Sequence, residues 1–368
     1  MISLRRQLVK KSVVAVGVSL AAVALTLSAC AQPGGGSSPS ATNASFVGCM
    51  VSDQGGFDDK SFNQTSYEGL QQAQTDFGIT EHHVQSNAAT DYANNVQAMV
   101  SQGCNIIIGV GYALSDAMVA AAKANPTIDF AIVDDKPDNA PTNLKPLVFN
   151  TNESAFLGGY LAAAISQSGV VGTYGGQPYP TVTIYMDGFA EGVAYYNQQK
   201  SKDVKVLGWD VATQKGAFVT SNNPFVDAAA GKVSAQNLAS QGADVLFPVA
   251  GNAGLGALQV AQESNGKTSA IWVDTDGCVS AADYCSVMPT SVYKGLDKAV
   301  YQAISDALNN QFNGSPYIGT LANGGTGISS YHDWDSKIDE QTKTELDAIK
   351  SQIIAGTIKV PSAGAYNA

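Results

Sequence analysis

The sequence predicts an α/β fold built as two lobes, each a parallel sheet with helices on both faces. Three observations lead there. Short apolar runs of strand length alternate with longer amphipathic stretches of helix length along most of the chain. The alternation falls into two consecutive sets. Roughly 320 residues follow the N-terminal region, enough for two domains at about 150 residues each.

The first set places apolar runs at 46–51, 105–110, 129–133 and 147–149, with helical stretches at 61–77, 89–102 and 114–124. The second opens with a helix at 153–168 and a run at 170–174. It continues with a helix at 182–199, a run at 204–209, a helix at 228–241, a run at 244–249, a helix at 254–263 and a run at 270–273. Continuous apolar runs of this length suit strands covered on both faces, as parallel sheets require. Residues 323–327 read as an irregular turn. Ile338, Leu346, Ile349, Ile353 and Ile354 stand at helical spacing and predict a last helix over 338–355. No Pro/Gly/Ser-rich linker parts the two sets, so the chain is expected to cross between lobes. Residues 46–152 plus 286–326 are assigned to the first lobe and 153–285 plus 327–368 to the second.

The N-terminal region fixes a compartment. Arg5, Arg6, Lys10 and Lys11 precede an apolar segment from Val13 to Leu27, and Leu27-Ser28-Ala29-Cys30 follows. This is the basic, apolar, small-residue order of a secretory signal, expected over residues 1–29. The apolar segment is short for a membrane span, which needs about 20 residues. Its ending resembles a bacterial lipobox, which implies that Cys30 is lipidated and becomes the N-terminus. Residues 30–45, rich in Gly, Ser and Pro, have no apolar surface to bury and read as a flexible tether. The expected location is the extracytoplasmic face of the cell membrane.

Hydrophobic residues make up 45% of the chain and charged ones 14%, a globular and sparsely charged composition. Of 20 basic residues four stand in the leader, against 31 acidic ones. That excess of acid excludes a nucleic-acid partner, which needs a basic footprint. Cys49, Cys104, Cys278 and Cys285 follow Cys30, an even number that permits two disulfides in an exported protein. Cys278 and Cys285 flank a short loop, and Cys49 and Cys104 begin two runs that could be neighbouring strands, so those pairings are expected. Without a CxxC, and with His82, His83 and His332 remote from the cysteines in sequence, no metal site is expected.

The segment that carries the chemistry is Asp53-Gln54-Gly55-Gly56-Phe57-Asp58-Asp59-Lys60-Ser61-Phe62-Asn63-Gln64, between the first strand and the first long helix. Ligands of parallel α/β sheets bind beyond the carboxyl ends of the strands, where this loop lies. Gly55-Gly56 permits a turn or a close backbone approach, and Ser61 with Gln64 forms a capping-box pattern. Asp58-Asp59 is an acidic pair whose members, being adjacent, are not expected to point at one site. Capping and turning leave Asp53, Phe62 and Asn63 unexplained. A carboxylate, an aromatic plane and an amide at one strand mouth suit a flat, polar, uncharged ligand.

This loop resembles the signature loop of the basic membrane lipoprotein family, the purine-nucleoside receptors of ABC importers. The resemblance continues in order through Asp129-Phe130-Ala131-Ile132-Val133-Asp134, the 153–162 stretch Glu-Ser-Ala-Phe-Leu-Gly-Gly-Tyr-Leu-Ala, Gly188-Phe189-Ala190-Glu191-Gly192-Val193, the 242–251 stretch ending Pro248-Val249-Ala250-Gly251, and Val273-Asp274-Thr275-Asp276-Gly277. It covers nearly the whole chain from Phe46. It implies a type I periplasmic-binding-protein fold, two Rossmann-like lobes around a ligand cleft. It implies a purine base held between Phe62 and Phe225, with Asp53, helped by Asn63, at the base edge. Asp134, Gly251, an acid from Asp274 or Asp276, and Lys294 would hold the ribose. Gly277 and Cys278 depart from the family pattern, which leaves the choice between the two acids open.

The expected function is therefore a lipid-anchored, monomeric substrate-binding protein that passes a nucleoside to an ABC permease and ATPase, with no catalytic residue and no cofactor. Two alternatives stand beside it: a sensory receptor using the same cleft, and an extracellular nucleoside hydrolase. Against the hydrolase, the sequence has no Gly-x-Ser-x-Gly elbow, metal-ligand cluster or Walker loop.

Overall fold

The structure, a computed structural model, describes residues 43–366. The signal at 1–29, Cys30 and the tether up to residue 42 lie outside the described residues. Among the described residues no helix is long and apolar enough to cross a membrane.

The first lobe is a six-stranded, wholly parallel sheet in the spatial order Tyr317–Gly319, Leu144–Phe149, Asp129–Val133, Ile106–Val110, Val47–Ser52, Thr80–Gln85. The alternation of side chains along each strand sorts its core into two layers. Met50, Ile106 and Ile108 pack with Leu70, Leu296, Val300 and Ile304 of the helices Phe62–Phe77 and Leu296–Leu308. Cys49, Val51 and Ile107 pack on the opposite face with Val96, Met99 and Met118 of the helices Tyr92–Ser101 and Ser115–Ala124. On that second face Cys49 and Cys104 are bridged.

In the second lobe Val170–Gly175, Val245–Val249 and Ser269–Ala270 pair in parallel, with Lys205–Leu207 at the edge. One residue further on, Trp272–Asp274 pairs with Ser291–Lys294, which is joined in turn by the antiparallel strand Thr326–Ile328. The helices Thr151–Ile165 and Pro180–Lys200 cover one face. They approach so closely that a Cβ at Gly159 would lie 2.0 Å from the Phe189 carbonyl oxygen, and one at Gly192 2.1 Å from that of Phe156. Small residues are thus a steric condition of this contact.

The chain crosses between lobes at Asn150, at Lys294-Gly295 and between Gly319 and Thr326. The strand Ser291–Lys294 corrects the expected boundary at 286, because it extends the second lobe's sheet by pairing with Trp272–Asp274. The expected run at 204–209 is divided: Lys205–Leu207 joins the main sheet, whereas Trp209–Asp210 forms a small antiparallel pair with Lys215–Gly216. The expected turn at 323–327 ends in a strand.

Candidate functional site

The first strand of each sheet in chain order, Val47–Ser52 in one and Val170–Gly175 in the other, lies inside the spatial order, so the connections run outward in opposite directions from it. A crevice opens at that point, at the carboxyl ends of the strands. In the first lobe it is flanked by the residues after Val47–Ser52, Ile106–Val110 and Asp129–Val133, namely Asp53, Gly111 with Tyr112, and Asp134. In the second lobe the corresponding strands end at Gly175, Val249 and Asp274. The two crevices face one another across a single cleft of about 580 Å³, its mouth included. Asp53, Phe62, Asn63, Asp134, Phe225, Gly251, Asp274 and Lys294 all line it.

At one end, Asn63 Nδ2 donates to Asp53 Oδ1 at 2.8 Å and to Asp59 Oδ2 at 3.2 Å. These two carboxylates fix the amide orientation and leave Asn63 Oδ1 buried without a hydrogen-bond partner among the described residues. Asp53 Oδ1 also accepts the Gly55 N–H at 3.1 Å. Its Oδ2 accepts no hydrogen bond among the described residues and lies against Gly111, where a Cβ would sit 2.4 Å away. Gly111 has φ +119°, so glycine is required there both by backbone and by space. Burial pushes the Asp53 carboxyl up, and the Asn63 and Gly55 donors pull it down.

Asp59 was missed because its neighbour Asp58 is exposed and the pair reads as solvated surface; only Asp59 turns inward. It caps the helix Phe62–Phe77 by accepting the N–H groups of Ser61, Asn63 and Gln64 at 3.0, 2.9 and 3.1 Å. This corrects the capping-box expectation, since Ser61 makes no side-chain cap bond. The Ser61 hydroxyl is used elsewhere: it donates across the lobes to Asp274 Oδ2 at 2.8 Å and to the Val273 carbonyl at 3.2 Å. Burial pushes Asp59 up to about 6, against the pull of its N–H donors.

At the other end, Lys294 Nζ donates to Asp134 Oδ2 at 2.5 Å and to Thr181 Oγ1 at 3.3 Å, and stands 3.8 Å from Asp274 Oδ1. The Tyr185 hydroxyl donates to the same Asp274 oxygen at 2.9 Å. Lys294 also stands over the Phe62 ring at 5.1 Å and the Tyr185 ring at 5.2 Å. Burial pushes Asp134 up, with the adjacent ammonium opposing it. The site thus gathers four carboxyl groups and one lysine, two of the four beside the ammonium and two at the opposite end. It accepts N–H and O–H donors and repels anions.

Of the two acids left open, Asp274 is in the cleft and Asp276 is not. Asp276 caps the short helix Gly277–Ser280 by accepting the Cys278 N–H at 3.0 Å, and pairs with His332 at 2.7 Å. Asp276, Cys278 and His332 converge closely enough to suggest a cation site, but Cys278 is bridged to Cys285 and has no thiolate to offer. Phe62 and Phe225 reach the cleft from opposite lobes. The ring that Phe225 stacks on is Tyr179, at 6.0 Å and 24°, and Tyr179 in turn meets Tyr112 of the first lobe at 4.9 Å. Tyr112, Tyr179, Thr181 and Tyr185 were not singled out from the sequence. Their only signal was position just beyond predicted strands or at the start of a helix.

A family model described as ABC transporter substrate-binding protein PnrA-like, Bmp, matches residues 46–363. Basic membrane protein A of Borreliella burgdorferi is 32% identical over 313 residues, which cover 84% of this chain and 86% of that protein. A Lactococcus lactis protein named ABC transporter nucleoside-binding protein BmpA is 29% identical over 374 residues, 96% of this chain and 99% of its own. Among solved structures, an ABC transporter solute-binding protein of Aeropyrum pernix has a TM-score of 0.75 at 23% identity, covering 86% of this chain and 94% of that one. A periplasmic solute-binding protein of Actinobacillus succinogenes, with bound D-allose, has a TM-score of 0.60 at 17% identity, covering 81% and 99%. These likenesses give the fold: that of type I periplasmic-binding proteins.

Proposed function

We propose that this chain, which belongs to the Bmp family of PnrA-like ABC transporter substrate-binding proteins, captures a purine nucleoside between its lobes and delivers it to a permease and its ATPase. The observation that carries the reading is the division of the cleft into two acceptor ends with an aromatic ring between. Asp53, with its open Oδ2, and the unpartnered Asn63 Oδ1 mark one end; Asp134, Lys294 and Asp274 mark the other. Phe62 is near both, contacting the lysine and following the Asp59 cap.

In this reading the base lies on Phe62, whose ring offers a polarizable face to a flat heterocycle. Phe225 approaches from the second lobe. Asp53 and Asn63 accept base N–H groups, and Asp134 accepts ribose hydroxyls while Lys294 donates to their oxygens. Asp274 already receives Ser61 and Tyr185, so its part is to hold the lysine. Four acids against one base favour a neutral nucleoside over its phosphates. The family relationship supports an extracytoplasmic location, and the Leu-Ser-Ala-Cys ending supports a lipid on Cys30. Binding without chemistry fits a site whose nearby serine, Ser61, is fully buried with its hydroxyl committed to two acceptors.

Titration with inosine, followed by chromatography for free hypoxanthine, tests this. The expected result is one bound nucleoside per chain and no hypoxanthine. Release of hypoxanthine would make the protein a hydrolase. No binding of any nucleoside would leave the fold in place and remove the ligand assignment.

A further inference from the structure

Beyond the last helix, Glu340–Ile354, the chain returns to the place where the lobes join. The Val360 carbonyl accepts Asn152 Nδ2 at 2.6 Å. The Ser362 hydroxyl donates to Asp187 at 2.7 Å, a fully buried carboxylate that also accepts Trp209 Nε1. Gly364 lies against the first turn of the helix Pro180–Lys200, where a Cβ would come 2.7 Å from the Pro180 carbonyl oxygen. Ala365 packs on the second lobe's core. Tyr366 then forms a two-way clasp with Asn150: its N–H donates to Asn150 Oδ1 at 2.7 Å, and its carbonyl accepts Asn150 Nδ2 at 3.0 Å.

Asn150 is not an ordinary surface residue. It is the single residue between the strand Leu144–Phe149 of the first lobe and the helix Thr151–Ile165 of the second, and its own N–H donates to Gly319 at the third crossover. Tyr366 is half-buried; burial, and after it the fields of Asp134, Asp135 and Tyr112, push its phenol up. One short segment is therefore anchored on the second lobe and clasped to a crossover.

We propose that residues 360–366 are a positioning strap: they hold the lobes at the approach in which the cleft binds, without touching the ligand. Closure between lobes is a hinge motion in which a few crossover residues absorb the backbone change. A contact made in the closed arrangement raises the closed fraction, and the apparent affinity is the intrinsic one scaled by that fraction. The strap thus acts on affinity through Asn150.

The test uses the full chain carrying Asn150→Ala and Tyr366→Gly, with Tyr366→Phe as the conservative control. Small-angle scattering is recorded without ligand and with saturating inosine, and inosine kinetics are followed. The double variant should show a larger ligand-free radius of gyration that returns to the wild-type value with inosine. Its dissociation rate should rise about tenfold, close to 1.4 kcal/mol, while Tyr366→Phe behaves as wild type. Unchanged scattering and unchanged dissociation in a folded double variant would overturn the strap. The affinity part rests on the nucleoside reading, but the ligand-free scattering does not, so a wild type that ignores inosine leaves the strap to be decided by scattering. If the double variant fails to fold, Asn150→Ala alone, which removes both bonds of the clasp, carries the same two measurements.

Discussion

Lys294→Met is the most informative perturbation of the cleft. Among the described residues Lys294 is the only cation that lines it, and its side chain is 3% exposed. Methionine fills nearly the same volume, so little cavity is created. What remains is Asp134, 2.5 Å from the lost ammonium and pushed up by burial. Removing one partner of a buried pair costs about 3–5 kcal/mol. Asp134 can limit that cost by taking a proton. Measured from its unfolded value of 3.8, holding it neutral costs about 1.4 kcal/mol per pH unit, so at most about 5 kcal/mol at pH 7.5 and about 1.6 kcal/mol at pH 5.0. The sign follows from the direction of the shift. A carboxyl whose folded pKa lies above its unfolded one favours folding most below the unfolded value, and loses that contribution as pH rises towards the folded value. Urea unfolding of ligand-free wild type and variant should therefore show a deficit of about 3–5 kcal/mol at pH 7.5 that shrinks below about 2 kcal/mol at pH 5.0. Adding Asp134→Asn should recover much of the loss at pH 7.5. An equal deficit at both pH values would refute the reasoning, since the cost would then be packing rather than charge.

Three substitutions divide the proposed roles, and a fourth tests the anchor. Phe62→Ala should weaken nucleoside binding roughly ten- to a hundredfold, from about 1–3 kcal/mol of base stacking, with the fold intact; calorimetry with inosine reads it. Asp134→Ala should weaken inosine much more than hypoxanthine, because its proposed contact is to ribose, and equal losses would place it at the base. Asp276→Ala should leave inosine affinity unaltered and cost about 1–2 kcal/mol of stability, from the lost helix cap together with the partly exposed pair with His332. Cys30→Ser in the expressing cell should move the protein from the membrane to the soluble extracytoplasmic fraction; retention in the membrane as an uncut precursor would favour a spanning anchor.

How much of this was legible depended on whether burial followed from sequence pattern. The strands Ile106–Val110 and Val245–Val249 are apolar throughout because helices cover both faces, and such runs are hard to misread. Thr80–Gln85 carries Glu81, His82 and His83 and was not foreseen: it is the edge strand, with one side open to water, so its composition looks like loop. The helix Leu296–Leu308 has six buried apolar positions but begins just after Lys294-Gly295 carries the chain across, and went unassigned because a crossover has no composition of its own. At the site, Asp53 and Asp134 follow predicted strands and Phe62 opens a predicted helix, whereas Lys294 is named only through the family resemblance, since neither its strand nor the helix after it is read from the sequence. Asp59 could not be found. Its inward turn depends on the helix N-terminus needing an acceptor, and Ser61 would have filled that need equally well on sequence grounds.

The backbone gives an independent reason to treat Asp134 and Asp274 as a matched pair. Asp134 directly follows the strand Asp129–Val133 and Asp274 ends the strand Trp272–Asp274, and each has φ +68°, a left-handed conformation that costs a non-glycine residue on the order of 1 kcal/mol or more. Glycine would relieve that cost at both places and would turn the chain equally well. What glycine lacks is a carboxylate, and the two carboxylates present stand on either side of one ammonium, one from each lobe. Lys294 itself is the last residue of its strand before the chain crosses back to the first lobe. Two like charges brought together across a cleft repel unless a cation lies between them. With Lys294 in place, approach of the lobes becomes attractive along the same line. On the proposed assignment, the lysine that donates to the ligand is also the charge that lets the lobes approach, and that reading puts ligand binding and lobe closure on one residue.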